Sequence, residues 1–252
     1  MKIRASSLKP YAILAGTLAV WQAATLLELT DPNFLPSPKA VLARAWVEIE
    51  KGTLTADVAA TLTRHIQGFA IGICAALAFG LLLGLSKLAN QLLGPLFLGF
   101  RQIALFAWVP LLSLWFGGNE AGKIAFIAVA AFTPMVVSTW RGTREISPAH
   151  HELAAVLTLG RLDYVRLIAL PSALPQVLTG LRSALIASWL ATVGAELFLN
   201  VAPGLGGRLN EGRETFQMDL LLAMLLVLVC IGMIYQRMAD AGEMKLLKRR
   251  TA

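Results

Sequence analysis

The stretch Ile66-Gln-Gly-Phe-Ala-Ile-Gly-Ile-Cys-Ala-Ala-Leu-Ala-Phe-Gly-Leu-Leu-Leu-Gly-Leu-Ser86 is bounded by Arg64 and Lys87 and holds no charged side chain between them. A hydrocarbon core of about 30 Å is crossed by about 20 apolar residues in helical form. This stretch alone meets that length, so it predicts a membrane-spanning helix. The rest of the 252-residue chain agrees with it. Apolar residues make up 57% and charged residues 15%, where a soluble domain has roughly 45–50% and about 25%. With a mean hydropathy of +0.67, the composition excludes a disordered chain, a coiled coil and a nucleic-acid-binding tail, and it leaves too few charges to cover a soluble enzyme.

Working outward, five further spans are expected. The first is Tyr11 to Leu27, behind the cations Lys2, Arg4 and Lys9. It lacks a small-x-small cleavage site before Glu28, so it reads as an uncleaved helix and not a signal peptide. The others are Leu92 to Phe116, interrupted by Pro95, Arg101 and Pro110; Ile124 to Trp140; Ser183 to Asn200, carrying Glu196; and Leu220 to Gln236. Lys and Arg crowd the segments that would lie inside if the N-terminus is cytoplasmic, including Arg141, Arg144, Arg161, Arg166 and the tail from Arg237 to Arg250. The net charge of +7 is therefore read as orientation and headgroup contact, with both termini cytoplasmic. Cys74 and Cys230 lie in apolar runs far from any paired-cysteine pattern and read as small packing residues.

Two connecting segments are long. On the outer side, prolines 32, 36 and 38 lead into a helix whose Val41, Leu42, Ala45, Trp46 and Ile49 share one face, as an interfacial helix would. On the inner side, residues 141–182 read as two short helices, with Pro148 at a start, Gly160 at a break and Pro171 as a second stop.

That inner segment contains Glu152-Leu-Ala-Ala-Val-Leu-Thr-Leu-Gly-Arg-Leu-Asp-Tyr-Val-Arg-Leu-Ile-Ala-Leu-Pro171. It resembles the EAA loop of ABC importer permeases, whose pattern is Glu-Ala-Ala, a Gly, and a spacer leading to Ile-x-Leu-Pro. Without a gap, Glu152, Ala154, Ile168, Leu170 and Pro171 match it. Leu153 replaces the first Ala, and Thr158 stands where the family has its Gly. A slid register would use Gly160 instead, but it needs a gap before Pro171. Phe34-Leu-Pro-Ser-Pro38, Thr61-Leu-Thr-Arg64, Trp115-Phe-Gly-Gly118, Ala195-Glu196 and Gly204-Leu-Gly206 are similar, in order and spacing, to the branch serving nitrate, sulfonate, taurine and bicarbonate uptake.

The resemblance implies an all-α polytopic membrane protein of about six transmembrane helices with the type I ABC importer permease fold. It divides the chain into an N-terminal transmembrane helix (1–30), a periplasmic linker with the interfacial helix (31–56), a permease domain (57–240) holding the coupling loop 141–182, and a basic cytoplasmic tail (241–252). It implies a transport subunit of the bacterial inner membrane with no catalytic or metal site. Its partners would be a second permease copy, two cytoplasmic ATPases, a periplasmic or lipid-anchored solute-binding protein and membrane lipid, with no nucleic acid. ATP and Mg would be bound by the ATPase. This fits the absence of Gly-x-x-x-x-Gly-Lys-Ser/Thr here: the work of ATP must arrive by contact. Small Ala154 and Ala155 allow close approach, Leu153, Val156, Leu157 and Leu159 offer apolar anchors, and Glu152 a charge-assisted contact.

Candidates for a pathway or helix-contact role are Glu196, Arg101 and Trp189. Glu196 either orients a polar network at a helix contact or sits at an outer helix end in interfacial water. Arg101 either attracts a passing anion or snorkels from the inner end of a short segment, and the shortness of Leu92 to Arg101 favours the second. Trp189 reads as packing. Gly204 and Gly206 lie in a tight outer turn, either a docking point for a binding protein or a plain connection. His151-Glu152 is not a zinc-protease motif, since Ala155 occupies the second ligand position. The competing classes are an intramembrane lipid-modifying enzyme or protease, and a channel without energy coupling, which would leave the inner hairpin idle.

Overall fold

The computed structural model describes residues 9–29, 31, 34–146, 152, 154, 156–199 and 203–248. Helices are the only regular secondary structure among them. They are α1 (Lys9–Leu26), α2 (Pro38–Glu50), α3 (Thr53–Leu85), α4 (Lys87–Phe100), α5 (Val109–Phe116), α6 (Glu120–Arg144), α7 (Leu170–Phe198), α8 (Leu205–Glu214) and α9 (Met218–Lys248). A 3₁₀ turn, Leu105–Trp108, precedes α5.

Among the described residues, four segments are long and apolar enough to cross a bilayer: Thr53–Leu85, Glu120–Arg144, Val165–Phe198 and Met218–Gly242. The pair Lys87–Phe100 and Leu105–Phe116 is apolar enough only when taken together, and its halves meet at 96°. The expected third span is thus two half-helices, split where Arg101 interrupts the apolar run. Against six expected spans, α1 is the one outside this set. It has 18 residues, and Lys9, Thr17, Gln22 and Thr25 dilute its apolar character.

The fifth expected span starts well before its expected place, as does α3, which begins at Thr53 and not near Ile66. Instead of beginning near Ser183, α7 begins at Leu170 with Pro171 in its first turn. Pro171 is therefore no stop, which corrects the sequence reading. Proline removes a donor and clashes with the carbonyl four residues earlier. Here that carbonyl belongs to Leu167, inside a π-helical turn, Val165–Ala169, where the Leu170 N–H bonds back to the Val165 carbonyl. The wider turn makes room for the ring.

The chain falls into two compact units, Met1–Ala60 with Val201–Val229, and Thr61–Asn200 with Cys230–Ala252. The second holds most of the spanning helices. Its core joins Ile73, Ala76 and Leu83 of α3, Phe97 of α4, Ala131, Met135 and Val136 of α6, and Ala184 of α7. The α3 face toward α6 is a ridge of small residues at every fourth position: Gly68, Gly72, Ala76, Gly80 and Gly84. A Cβ on Gly72 would lie 2.5 Å from the Ala128 carbonyl oxygen, and one on Gly84 1.7 Å from Thr143 Oγ1. Between membrane helices, where lipid is as apolar as leucine, such backbone approach is the main source of attraction.

In the first unit, Ser37 caps α2 by accepting from the Ala40 N–H, and Pro38 starts the helix. Val41 and Glu48 are buried, whereas Leu42, Trp46 and Ile49 are exposed. The apolar stripe expected of an interfacial helix is present but narrower, because Val41 lies on the packed face with Glu48.

Candidate functional site

The inner loop is built on a short helix in which Glu152, Ala154 and Val156 are helical; Leu153, Ala155, Pro148, His150 and His151 lie outside the described residues. Its end has a defined geometry. Thr158 is left-handed (φ 46°), and the Leu159 N–H donates to the Ala154 carbonyl at 3.1 Å. A six-to-one hydrogen bond closed over a left-handed residue is the Schellman ending, normally made by glycine. Thr158 therefore does the work of the glycine it replaces, and Gly160, which is not left-handed, does not. This geometry favours the ungapped register.

After the turn, Gly160 accepts from the Tyr164 N–H at 2.9 Å and opens the helical turn Arg161–Tyr164. Ile146, Ile168 and Ala169 form a small core, against which Ala154, Leu159 and Tyr164 pack. Leu159 and Ile168 thus hold the hairpin together. What it presents outward is Glu152 and the pair Val156 and Leu157, 80% and 55% exposed. Leu170 is also partly exposed and Pro171 half-buried. The described part of the hairpin has an apolar tip with Glu152 beside it, and Asp163 and Arg166 are exposed after the turn.

Glu196 belongs to a buried charge cluster that the sequence reading missed. Arg64 of α3 pairs with Glu196 of α7 and, through Nε at 2.5 Å and Nη2 at 2.8 Å, with Glu120 at the start of α6. The Thr61 hydroxyl donates to Glu196 at 2.9 Å, and Lys123 reaches Glu120 at 3.4 Å. Arg64, Lys123 and Glu196 are buried. Two cations and two carboxylates cancel, which makes burial tolerable where lone charges would be expelled. This corrects the expectation that cations flanking the spans face headgroups, and it supports the helix-contact reading of Glu196. The one sequence signal was Glu120-x-x-Lys123, an i, i+3 pair opening an apolar run.

Trp189 is buried and stands edge-on between two rings, 5.5 Å from His65 and 5.2 Å from Tyr235. It packs, as expected. Buried His65, whose Nδ1 lies 3.0 Å from Thr192 Oγ1, stacks on Phe69. Arg101 stands at the C-terminal end of α4, at the break; its side chain is exposed and makes no ion pair or hydrogen bond to any described residue.

In the first unit, Gly204 caps α8 with φ 151° and ψ 162°, a region essentially reserved for glycine. Its N–H donates to Asp57 at 2.9 Å. Gly206 is buried in the first turn. Arg208 Nε meets Asp57 at 3.1 Å and its Nη2 meets Glu48 at 2.6 Å. Glu48 also accepts from Thr53 at 2.6 Å and faces Arg44 and Lys51. Burial pushes the Glu48 carboxyl up, but the Thr53 hydroxyl and these cations together outweigh it and hold it below the usual carboxylate range. The turn at Gly204 is thus pinned by Asp57, and Arg208 ties α8 to Asp57 and Glu48.

These features define a helical membrane subunit whose α6 and α7 are joined by a hairpin with an exposed apolar tip. Residues 68–247 match the family of binding-protein-dependent transport system inner membrane components, and the chain belongs to that family: it is a permease subunit of an ABC importer, a multi-pass inner-membrane protein. Among its relatives are the bicarbonate transport system permease protein CmpB of Synechococcus elongatus (30% identical, covering 91% of this chain and 86% of that one) and the taurine transport system permease protein TauC of Escherichia coli (31%, 88% and 82%). The putative aliphatic sulfonates transport permease protein SsuC of Bacillus subtilis is 30% identical over 97% of this chain and 88% of its own. The fold is similar to that of the MetNI methionine ABC transporter in inward-facing conformations, with a TM-score of 0.65 at 20% identity over 77% of this chain and 95% of that one.

Proposed function

We propose that the chain works as one of two permease copies, driven by two cytoplasmic ATPases that bind ATP and Mg, and that it carries a small anionic solute such as a sulfonate, taurine or bicarbonate inward from a solute-binding protein. Both termini would be cytoplasmic. The observation that carries the reading is the inner hairpin: a locked turn at Thr158 and a small private core leave Val156, Leu157 and Glu152 projecting. An apolar tip on a rigid support can turn ATPase closure into a tilt of α6 and α7, which flank it, and so alternate access to the pathway. The sulfonate, taurine and bicarbonate relatives support the class of solute. The relatives named above are transport permeases and lend no support to an intramembrane enzyme.

The test is Val156→Glu, which places a charge on the tip without touching the hairpin core. We expect normal membrane abundance, loss of ATPase co-purification and loss of uptake. Wild-type ATPase association in that variant would refute the hairpin as the docking element.

A further inference from the structure

The broken span surrounds a cavity of about 260 Å³ lined by Phe100, Arg101, Trp108, Val129, Thr133 and Ala187, among others. Its depth follows from α6. Thr133 lies about 20 Å along the helix from Glu120 and about 17 Å from Arg144, at 1.5 Å per residue, so the cavity sits halfway along a spanning helix. Phe100 contacts Phe132 at 6.1 Å and Trp108 at 5.1 Å, which fixes the break at the same level. Arg101 is therefore not at an inner helix end, where snorkelling would explain it.

At mid-depth an ionisable group is expensive unless it faces protein or water. Residues 102–104 are irregular and exposed, and Ile103 lines the cavity, where irregular backbone at that depth is tolerated. Unlike Arg64, Arg101 has no carboxylate among the described residues. Beside it the Thr133 hydroxyl lines the same cavity. Pro134 has no N–H, so the Ala130 carbonyl lacks its usual intrahelical donor. One cation and one hydroxyl-bearing side chain thus line a space smaller than a drug-sized site.

We propose that this cavity is a solute site within the permease, in which Arg101 and Thr133 hold the oxyanion group of a small solute, a sulfonate, carboxylate or bicarbonate. The guanidinium's planar donors match two oxygens of such a group, and the aromatic walls take its short apolar remainder. The site rests on the importer reading, because the direction and energy of transport come from there.

The experiment uses the full complex of permease, ATPase and co-encoded binding protein in proteoliposomes, with taurine, ethanesulfonate and bicarbonate as probes. Arg101→Gln should reduce uptake of the transported probe by about tenfold or more, Arg101→Lys should reduce it less, and Thr133→Val should reduce it severalfold. A second readout needs no transport. In a background lacking Cys74 and Cys230, Thr133→Cys is treated with anionic and cationic thiol reagents of equal size. Adding Arg101→Gln should lower the anionic-to-cationic rate ratio by about tenfold or more.

Uptake at the wild-type rate in Arg101→Gln, or an unchanged ratio, overturns the site while the importer reading stands. If the wild-type complex takes up none of the three probes, the anion-importer reading falls and the site falls with it.

Discussion

Threonine at position 158 should be the strained point of the hairpin between α6 and α7, and replacing it with glycine should tighten the loop. A left-handed backbone costs an L-residue about 1–2 kcal/mol, and a β-branched one is an outlier there. Glycine removes that strain but loses roughly 0.5–1 kcal/mol to the freedom of the opened chain. The net expectation for Thr158→Gly is a gain of about 0.5–1 kcal/mol in the closed turn, or about two- to fivefold in its opening equilibrium. The amide that reports it is Leu159, whose hydrogen bond to Ala154 closes the turn. Hydrogen exchange of a peptide covering 152–160, in the nanodisc-embedded complex, should slow by that factor. Gly160→Ala is the control. Its φ is not left-handed, and an added Cβ would find its nearest neighbour, Asp163 Oδ2, at an ordinary 3.7 Å, so exchange should hardly change. If Gly160→Ala accelerates exchange strongly while Thr158→Gly leaves it unchanged, the ungapped register is wrong and the turn belongs to Gly160.

The Arg64 cluster should behave as a unit: Arg64→Met strands Glu196 and should cost about 3–5 kcal/mol, seen as a fall in thermal stability of the purified protein. Arg64→Met combined with Glu196→Met should lose clearly less than the sum of the two single changes, and simple additivity would contradict the pairing. Glu48 has a lowered folded-state value, so its contribution is complete above the unfolded glutamate value near 4.3 and is lost as pH falls through the folded one. Glu48→Gln should therefore flatten the acid limb of the melting profile below about pH 4.3, and an unchanged limb would remove the carboxylate from the account. For topology, Lys39→Cys and Arg213→Cys should react with an impermeant thiol reagent in intact cells lacking Cys74 and Cys230. Arg144→Cys should react only after permeabilisation; its labelling from outside would invert the orientation.

The C-terminal end of α3, both ends of α6 and the start of α9 were close to legible because charges lie beside them: Lys87, Lys123, Arg141 and Asp219. The start of α7 was not. Pro171, Pro175 and Arg182 read as loop, yet the π-turn accommodates the first proline, and Arg182 meets Asp240 of α9 at 2.8 Å. A pairing so distant in sequence leaves no local trace. The same holds for Arg64, whose carboxylates lie on two other helices. The hairpin between α6 and α7 was legible in outline, but its turn was hidden, since threonine does not advertise a left-handed backbone as glycine does. The four-residue glycine period on α3 was present in the sequence and needed only counting.

The buried charge cluster also imposes an order on biogenesis. Arg64 precedes Glu120 by 56 residues and Glu196 by 132. At roughly 5–20 residues per second of synthesis, its first carboxylate emerges about 3–11 s after it, and its second about 7–26 s after it. During that interval the nascent α3 carries an unmatched guanidinium, which must wait in the insertion machinery or at the membrane surface. Only when the end of α7 arrives can the part of α3 around Arg64 settle among its neighbours. A chain cut short before Glu196 would hold one of the two partners and should be a substrate for membrane quality control, even though most of its apolar spans are already made.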